Sequence, residues 1–156
     1  MKLPFEIDLK GKVAVVTGGG GVLCSGFAKT LAACGAGVAV CDLRLDAAEQ
    51  VAREIREDGG NAIGVAANVL ERDSMEAAKK EIAEKLGTCD ILLNGAGGNN
   101  PKATCENEYM FPETTGIKDF FALDESGLKF VFDLNITSAF LVTQVFAADM
   151  VKTGGN

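Results

Sequence analysis

The chain has 156 residues, 47% of them hydrophobic and 24% charged, which suits one domain around a single core and argues against a disordered segment. Its formal net charge of −7 argues against nucleic acid or an anionic membrane as a partner, since both reward basic patches, but leaves room for an anion site built from backbone N–H groups. There is no histidine, and Cys24, Cys34, Cys41, Cys89 and Cys105 are odd in number with no C-x-x-C pair, so neither a metal site nor a disulfide framework is expected; reduced thiols in a cytoplasmic protein are.

The N-terminal stretch MKLPFEIDLKGK carries charge every few residues and has no apolar core, so it does not read as a signal peptide. No apolar run approaches the roughly 18 residues a membrane span requires. Lys12–Thr17 is a continuous apolar run of the kind buried on both faces of a sheet, and Leu23–Cys34 follows as a helix with Phe27, Leu31 and Cys34 inward and Gly35 as its stop. Gly37–Asp42 reads as a second strand, and Leu45–Asp58 as a helix that turns Ala48, Val51, Ala52 and Ile55 inward. Ala62–Ala67 is a weaker third strand. Glu71–Leu86 is a charged helix with Met75, Ala78, Ile82 and Leu86 on one face. Cys89–Asn94 is a fourth strand, followed by a second glycine turn, Gly95-Ala96-Gly97-Gly98. Strand and helix alternate throughout, so the expected fold is α/β: a Rossmann-like, doubly wound parallel sheet of about four strands in the order 3-2-1-4, with right-handed crossovers. From Asn99 to about Leu123 the pattern breaks, and a loop that long in a compact domain is expected to be functional or partly helical. A long helix is then expected from about Asp124 to Val151, with Gly127 near its start.

Four consecutive glycines, Gly18 to Gly21, stand where the first strand hands over to the first helix. Glycine there costs chain entropy and packs nothing, so bare backbone must be needed. A strand-to-helix turn aims N–H groups outward at the positive end of a helix dipole, and a dinucleotide pyrophosphate must approach such a main chain closely. Asp42, 21 residues after Gly21 at the end of the second strand, is placed to accept from the adenosine ribose hydroxyls and to repel a 2′-phosphate. Arg44, two residues on, can pair with a 2′-phosphate, so NAD is favoured over NADP without NADP being excluded. A phosphate-binding loop of the G-x-x-x-x-G-K type fails, because Phe27 stands where the lysine is required. No G-x-S-x-G elbow is present.

Thr17-Gly18-Gly19-Gly20-Gly21-Val22-Leu23-Cys24, Asp42, Asn68-Val69, Asn94-Gly95-Ala96-Gly97 and Asn135 together resemble the short-chain dehydrogenase/reductase family, from about Gly11 to the end of the chain. Against the family's T-G-x-x-x-G-x-G turn, Thr17 and Gly18 match, while Val22 and Cys24 replace the second and third glycines; Gly20 and Gly21 are expected to take over the close approach. The resemblance implies cofactor contacts from Gly18, Gly20, Gly21 and Leu23, from Asp42, and from Asn68 and Val69 beside the adenine, with Asn in place of the family's Asp. It also implies contacts from Asn94, Gly95, Ala96 and Gly97, the counterpart of N-N-A-G with Gly95 in place of the second Asn. Asn135 matches the family's helical asparagine, whose backbone carbonyl helps hold a water in the catalytic proton relay.

Hydride transfer to a carbonyl needs a proton donor for the developing alkoxide. The family uses Ser and a Tyr-x-x-x-Lys pair beyond its fifth strand. In these 156 residues the single tyrosine is Tyr109, with Glu113 four residues later, so the chain is expected to be one dinucleotide-binding domain, 1–156, without the catalytic part and inactive alone. A piece of a longer oxidoreductase is the first expectation, and a binding or assembly module without catalysis the alternative. A third reading, a flavodoxin-like domain, would take FMN. An unpaired fourth strand would favour a homo-oligomer. The phrasing of the glycine turn and of Gly97–Thr104 resembles sugar-acid reductases of the D-mannonate type, which implies a small-molecule substrate whose carboxylate Lys102 can pair.

Overall fold

The computed structural model describes residues 7–109, 111 and 116–152. The N-terminal segment before Ile7, Glu113 and the closing Gly154-Gly155-Asn156 lie outside the described residues. Four parallel strands, β1 (Val13–Thr17), β2 (Gly37–Asp42), β3 (Asn61–Ala66) and β4 (Ile91–Leu93), form one sheet in the order β3-β2-β1-β4. Helices α1 (Val22–Ala33), α2 (Leu45–Glu57) and α3 (Arg72–Lys85) cross between successive strands. After β4 come α4 (Glu125–Phe132), a π-helical turn over Asp133–Thr137, and α5 (Ser138–Lys152).

The period-two alternation of a strand assigns the faces. Ala14, Val16, Val38, Val40 and Ala62 pack with α1 and α2, while Val13, Val15, Ala39, Cys41 and Val65 pack with α3 and α5. All five β1 residues are buried, each valine there contributing about 1.5–3 kcal/mol by leaving water. Burial pushes the Cys41 thiol up to about 12 and the Cys89 thiol up to about 11, so both act as small apolar packing groups.

Strands and helices fall where the periodicity places them, apart from one helix face and two irregular segments. The inward face of α1 is Cys24, Ala28 and Ala32, while Phe27 is half exposed, one step round from the expected Phe27–Leu31–Cys34 stripe. Small side chains let α1 lie close on the sheet, and a phenylalanine would hold it off. The segment after β4 holds two short 3₁₀ turns, Pro101–Ala103 and Phe120–Ala122, and is closed by Glu106 N–H donating to the Lys118 carbonyl at 2.9 Å. One expectation needs correcting: the stretch Glu125–Lys152 is long and apolar enough to cross a membrane by length and composition. Its inner face, Ser138, Val142, Val145 and Phe146, is buried on the sheet, whereas Phe132, Ile136 and Phe140, at helical spacing, stay exposed.

The short strand β4 is tied to β1 at its start by Asp90. Its N–H donates to the Val13 carbonyl at 2.8 Å, its carboxylate accepts from Val13 N–H at 2.9 Å, and Lys12 Nζ lies 3.0 Å away. The Val13 N–H first, and Lys12 second, hold this carboxyl below its ordinary range. A depressed carboxyl stabilises the fold above its unfolded pKa, about 3.9, and that contribution is lost as pH falls through the lower folded value. Asp90→Asn should therefore cost on the order of 1 kcal/mol at about pH 7, with a smaller deficit at about pH 3. Denaturant unfolding at the two pH values checks this, and a deficit equal at both would contradict it.

Candidate functional site

The site lies at the carboxyl ends of β1, β2 and β4, where the strand order reverses and open α/β sheets leave a crevice. Gly18 has φ +64°, a left-handed conformation glycine adopts without penalty, and a Cβ on it would sit 2.9 Å from both the Ala96 Cα and the Gly95 carbonyl oxygen. Gly19 N–H donates to the Cys41 carbonyl at 2.9 Å, and a Cβ on Gly19 would meet Val40 at 2.6 Å. Gly21 N–H closes the turn on the Gly18 carbonyl at 3.0 Å, and Gly21 caps α1 with neither a side-chain cap nor an acidic residue in the first turn. The positive end of the α1 dipole is left to whatever anion approaches. The side chains of Val22 and Leu23, 93% and 77% exposed, flank it.

Asp42 faces this turn. Its Oδ2 accepts from Gly20 N–H at 3.1 Å and its Oδ1 from Arg44 N–H at 3.1 Å, while a Cβ on Gly20 would lie 2.9 Å from Oδ2. The glycine turn and the β2 carboxylate are thus brought together, as the spacing predicts. Burial first, and the Asp42 charge second, push the Cys24 thiol up, so it is a neutral S–H donor aimed at the Gly95 carbonyl at 3.6 Å.

A second turn, Asn94–Gly98, packs against the first. The buried Thr17 hydroxyl accepts from Gly95 N–H at 3.1 Å and Ala96 N–H at 3.2 Å and lies 3.4 Å from the Leu93 carbonyl, to which it donates. Asn94 Nδ2 donates to Thr143 Oγ1 at 2.9 Å, tying the turn to α5. Gly97 gives way to Asn135, whose Oδ1 would lie 2.6 Å from a Cβ there. That Oδ1 accepts from Gly98 N–H at 3.1 Å, and Asn135 Nδ2 donates to the carbonyls of Gly98 and Val131, both at 2.8 Å. Asn135 sits inside the π turn, so a widened helical turn and a loop are stitched together by one amide.

Asn68 Oδ1 accepts from Leu70 N–H at 3.1 Å and its Nδ2 donates to Glu71 at 2.9 Å, which leaves one N–H and one Oδ1 lone pair of the amide for a ligand. Val69 is 7% exposed and its side chain belongs to the core. Lys102 sits on the 3₁₀ turn that rests on Gly127 of α4, and its Nζ lies 3.9 Å from Asp124. The bonds to Ser126, ahead of Lys102, hold the Asp124 carboxyl low. Tyr109 is 71% exposed on the same segment. Thr17 and Cys24 were legible only as motif letters; the signal for Thr17 was a lone hydroxyl ending an otherwise apolar strand.

A parallel sheet with a glycine-lined strand-to-helix turn and an acid at the end of β2 defines a Rossmann-like α/β domain. Residues 12–156 match the short chain dehydrogenase family, and the chain belongs to that family. It is 48% identical over its whole length to an oxidoreductase of Haemophilus influenzae, of which it covers 55%, and 44% identical over 96% of its length to the Bacillus subtilis oxidoreductase UxuB, of which it covers 54%. A Haemophilus protein provisionally assigned as a D-mannonate oxidoreductase and solved with bound NAD superposes with a TM-score of 0.90 at 48% identity, over 92% of this chain and 52% of the other. The chain spans about half the length of these relatives.

Replacing Thr17 by valine keeps the shape and strands two amide donors against the β4 turn. Thr17→Val should lower stability by about 2 kcal/mol or more, read as a denaturant midpoint shift at unchanged slope. A shift within a few tenths of a kcal/mol would show that water or rearrangement satisfies both amides.

Proposed function

We propose that this chain is the NAD-binding domain of a short-chain oxidoreductase that passes hydride between nicotinamide and a secondary alcohol or ketone of a small molecule, with a sugar acid of the D-mannonate type as substrate. One observation carries the reading: the Asp42 carboxylate lies 3.1 Å from the Gly20 N–H, which puts a ribose-accepting acid beside the uncapped start of α1. The residues fit a dinucleotide. Gly18 to Gly21 offer backbone without side chains, the α1 terminus offers N–H groups to a diphosphate, and the Asn94–Gly97 turn borders the path toward the nicotinamide. The bound NAD of the Haemophilus relative supports the same assignment. When bound, the nicotinamide supplies or accepts the hydride. The protein's part is to fix its position and to keep the Asp42 charge where a 2′-phosphate would be repelled.

The proton donor is the missing element. Tyr109, the sole tyrosine, is held on the exposed segment after β4 and has no lysine four residues on. The chain alone therefore binds NAD without turning over substrate. The exposed apolar stripe of Phe132, Ile136 and Phe140 suits association with a second copy.

Calorimetric titration with NAD, NADP and FMN tests the cofactor. NAD should bind at least about tenfold tighter than NADP, and Asp42→Ala should weaken NAD by about tenfold while narrowing that gap. Binding of FMN alone would overturn the reading. Sedimentation should show a dimer or larger species at micromolar concentration that Phe140→Glu shifts toward monomer. A monomer throughout the range would refute the association.

A further inference from the structure

Cys24 and Gly95 meet across the seam between the two glycine turns. Gly95 does not need glycine for its backbone, because its φ lies outside the left-handed range occupied by Gly18, Gly35 and the other positive-φ glycines. What it lacks is room. A Cβ on Gly95 would sit 2.3 Å from Cys24 Sγ, 2.9 Å from the Thr17 carbonyl oxygen and 3.0 Å from Leu93 Cδ2. Cys24 occupies that space from the first turn of α1, 8% exposed, and its thiol donates back to the Gly95 carbonyl at 3.6 Å. Both residues are departures from the pattern the chain resembles, which has glycine at position 24 and asparagine at position 95. At this contact the side-chain bulk stands on the helix and the β4 turn is bare.

We propose that Cys24 and Gly95 are a size-matched pair that sets the distance between the start of α1 and the Asn94–Gly97 turn, and so act as positioning residues for the dinucleotide that spans the two. The physical argument is one of rigid parts. The second turn is pressed between Gly18 on one side and Cys24 on the other, and the Thr17 hydroxyl pins its two amides between them. Close-packed interiors transmit a change of one methyl group. Pressure on Cys24 Sγ moves the first turn of α1 away from the Asn94–Gly97 turn and leaves the Asp42 end in place. A displacement near 1 Å is enough to cost a pre-formed site much of its complementarity. The inference rests on the reading of this site as an NAD site.

The test is a double-mutant cycle on the 156-residue chain with Gly95→Ala, Cys24→Ala and both together, read as NAD and AMP affinities by calorimetry and as thermal midpoints. AMP reaches only the Asp42 end, whereas NAD crosses the seam. Gly95→Ala should weaken NAD by about tenfold with AMP changed by less than about threefold, and Cys24→Ala should cost NAD less than about threefold. The double variant should recover at least about threefold over Gly95→Ala, short of full recovery because the 2.9 Å approach to the Thr17 carbonyl persists. Additive losses in the double variant, or equal losses for NAD and AMP, would overturn the pairing. Should Gly95→Ala fail to fold, a folded, NAD-binding double variant supports the proposal and an unfolded one overturns it. A wild-type chain that binds neither ligand would sink the NAD reading itself, and this proposal with it.

Discussion

The buried hydroxyl of Thr17 is the constraint on which the rest of the site depends. It ends the most deeply buried strand, and its oxygen meets two amides of the next strand's turn and the carbonyl before them. Backbone groups at strand ends lose their ladder partners and must find others when buried. Here one side chain satisfies them, and in doing so fixes Gly95 and Ala96 against Gly18. Close approach of two main chains follows, and it forces small residues at both contact points. The glycines are therefore needed twice: outward, for an anion that must reach bare N–H groups, and inward, for the packing of one turn on the other.

This division explains how a chain of net charge −7 can present an anion site without basic residues. The attraction comes from oriented peptide dipoles at the start of a twelve-residue helix, which act over one turn and are indifferent to the distant carboxylates once salt screens them. Asp42 sits at the rim, and its two oxygens are held by the N–H groups of Gly20 and Arg44. Those bonds fix the direction of its free lone pairs. A carboxylate oriented in this way discriminates by geometry as well as by sign.

The sheet was readable from residues because buried parallel strands are short apolar runs and the helices between them carry one apolar face each. Asp42 was readable because its position follows from the strand ending there. Features set by tertiary contact were not. The inward face of α1 is chosen by how closely a helix can approach the sheet, which favours Cys24, Ala28 and Ala32 over the larger Phe27. The Asn68 side chain also ties down the start of α3 through Leu70 and Glu71, a local contact that residue identity alone does not decide. The π turn at Asp133–Thr137 leaves no trace in the apolar pattern, since it inserts within a helix that is hydrophobic nearly all round.

That π turn also links the helix to the site. A regular α-helix spends every inner carbonyl on its own ladder, and the widened turn lets the Asn135 amide take the Val131 carbonyl while it grips both backbone groups of Gly98. One residue thus pays a helical irregularity and a loop's orphaned polar groups at once. Its cost in helix regularity is offset by order at the end of β4, where the sheet's own pairing is only three residues long. The same helix carries Val142, Val145 and Phe146 into the core and leaves Phe132, Ile136 and Phe140 facing out. It is anchored on one side by the sheet, pinned at its middle by Asn135, and apolar on the side that remains.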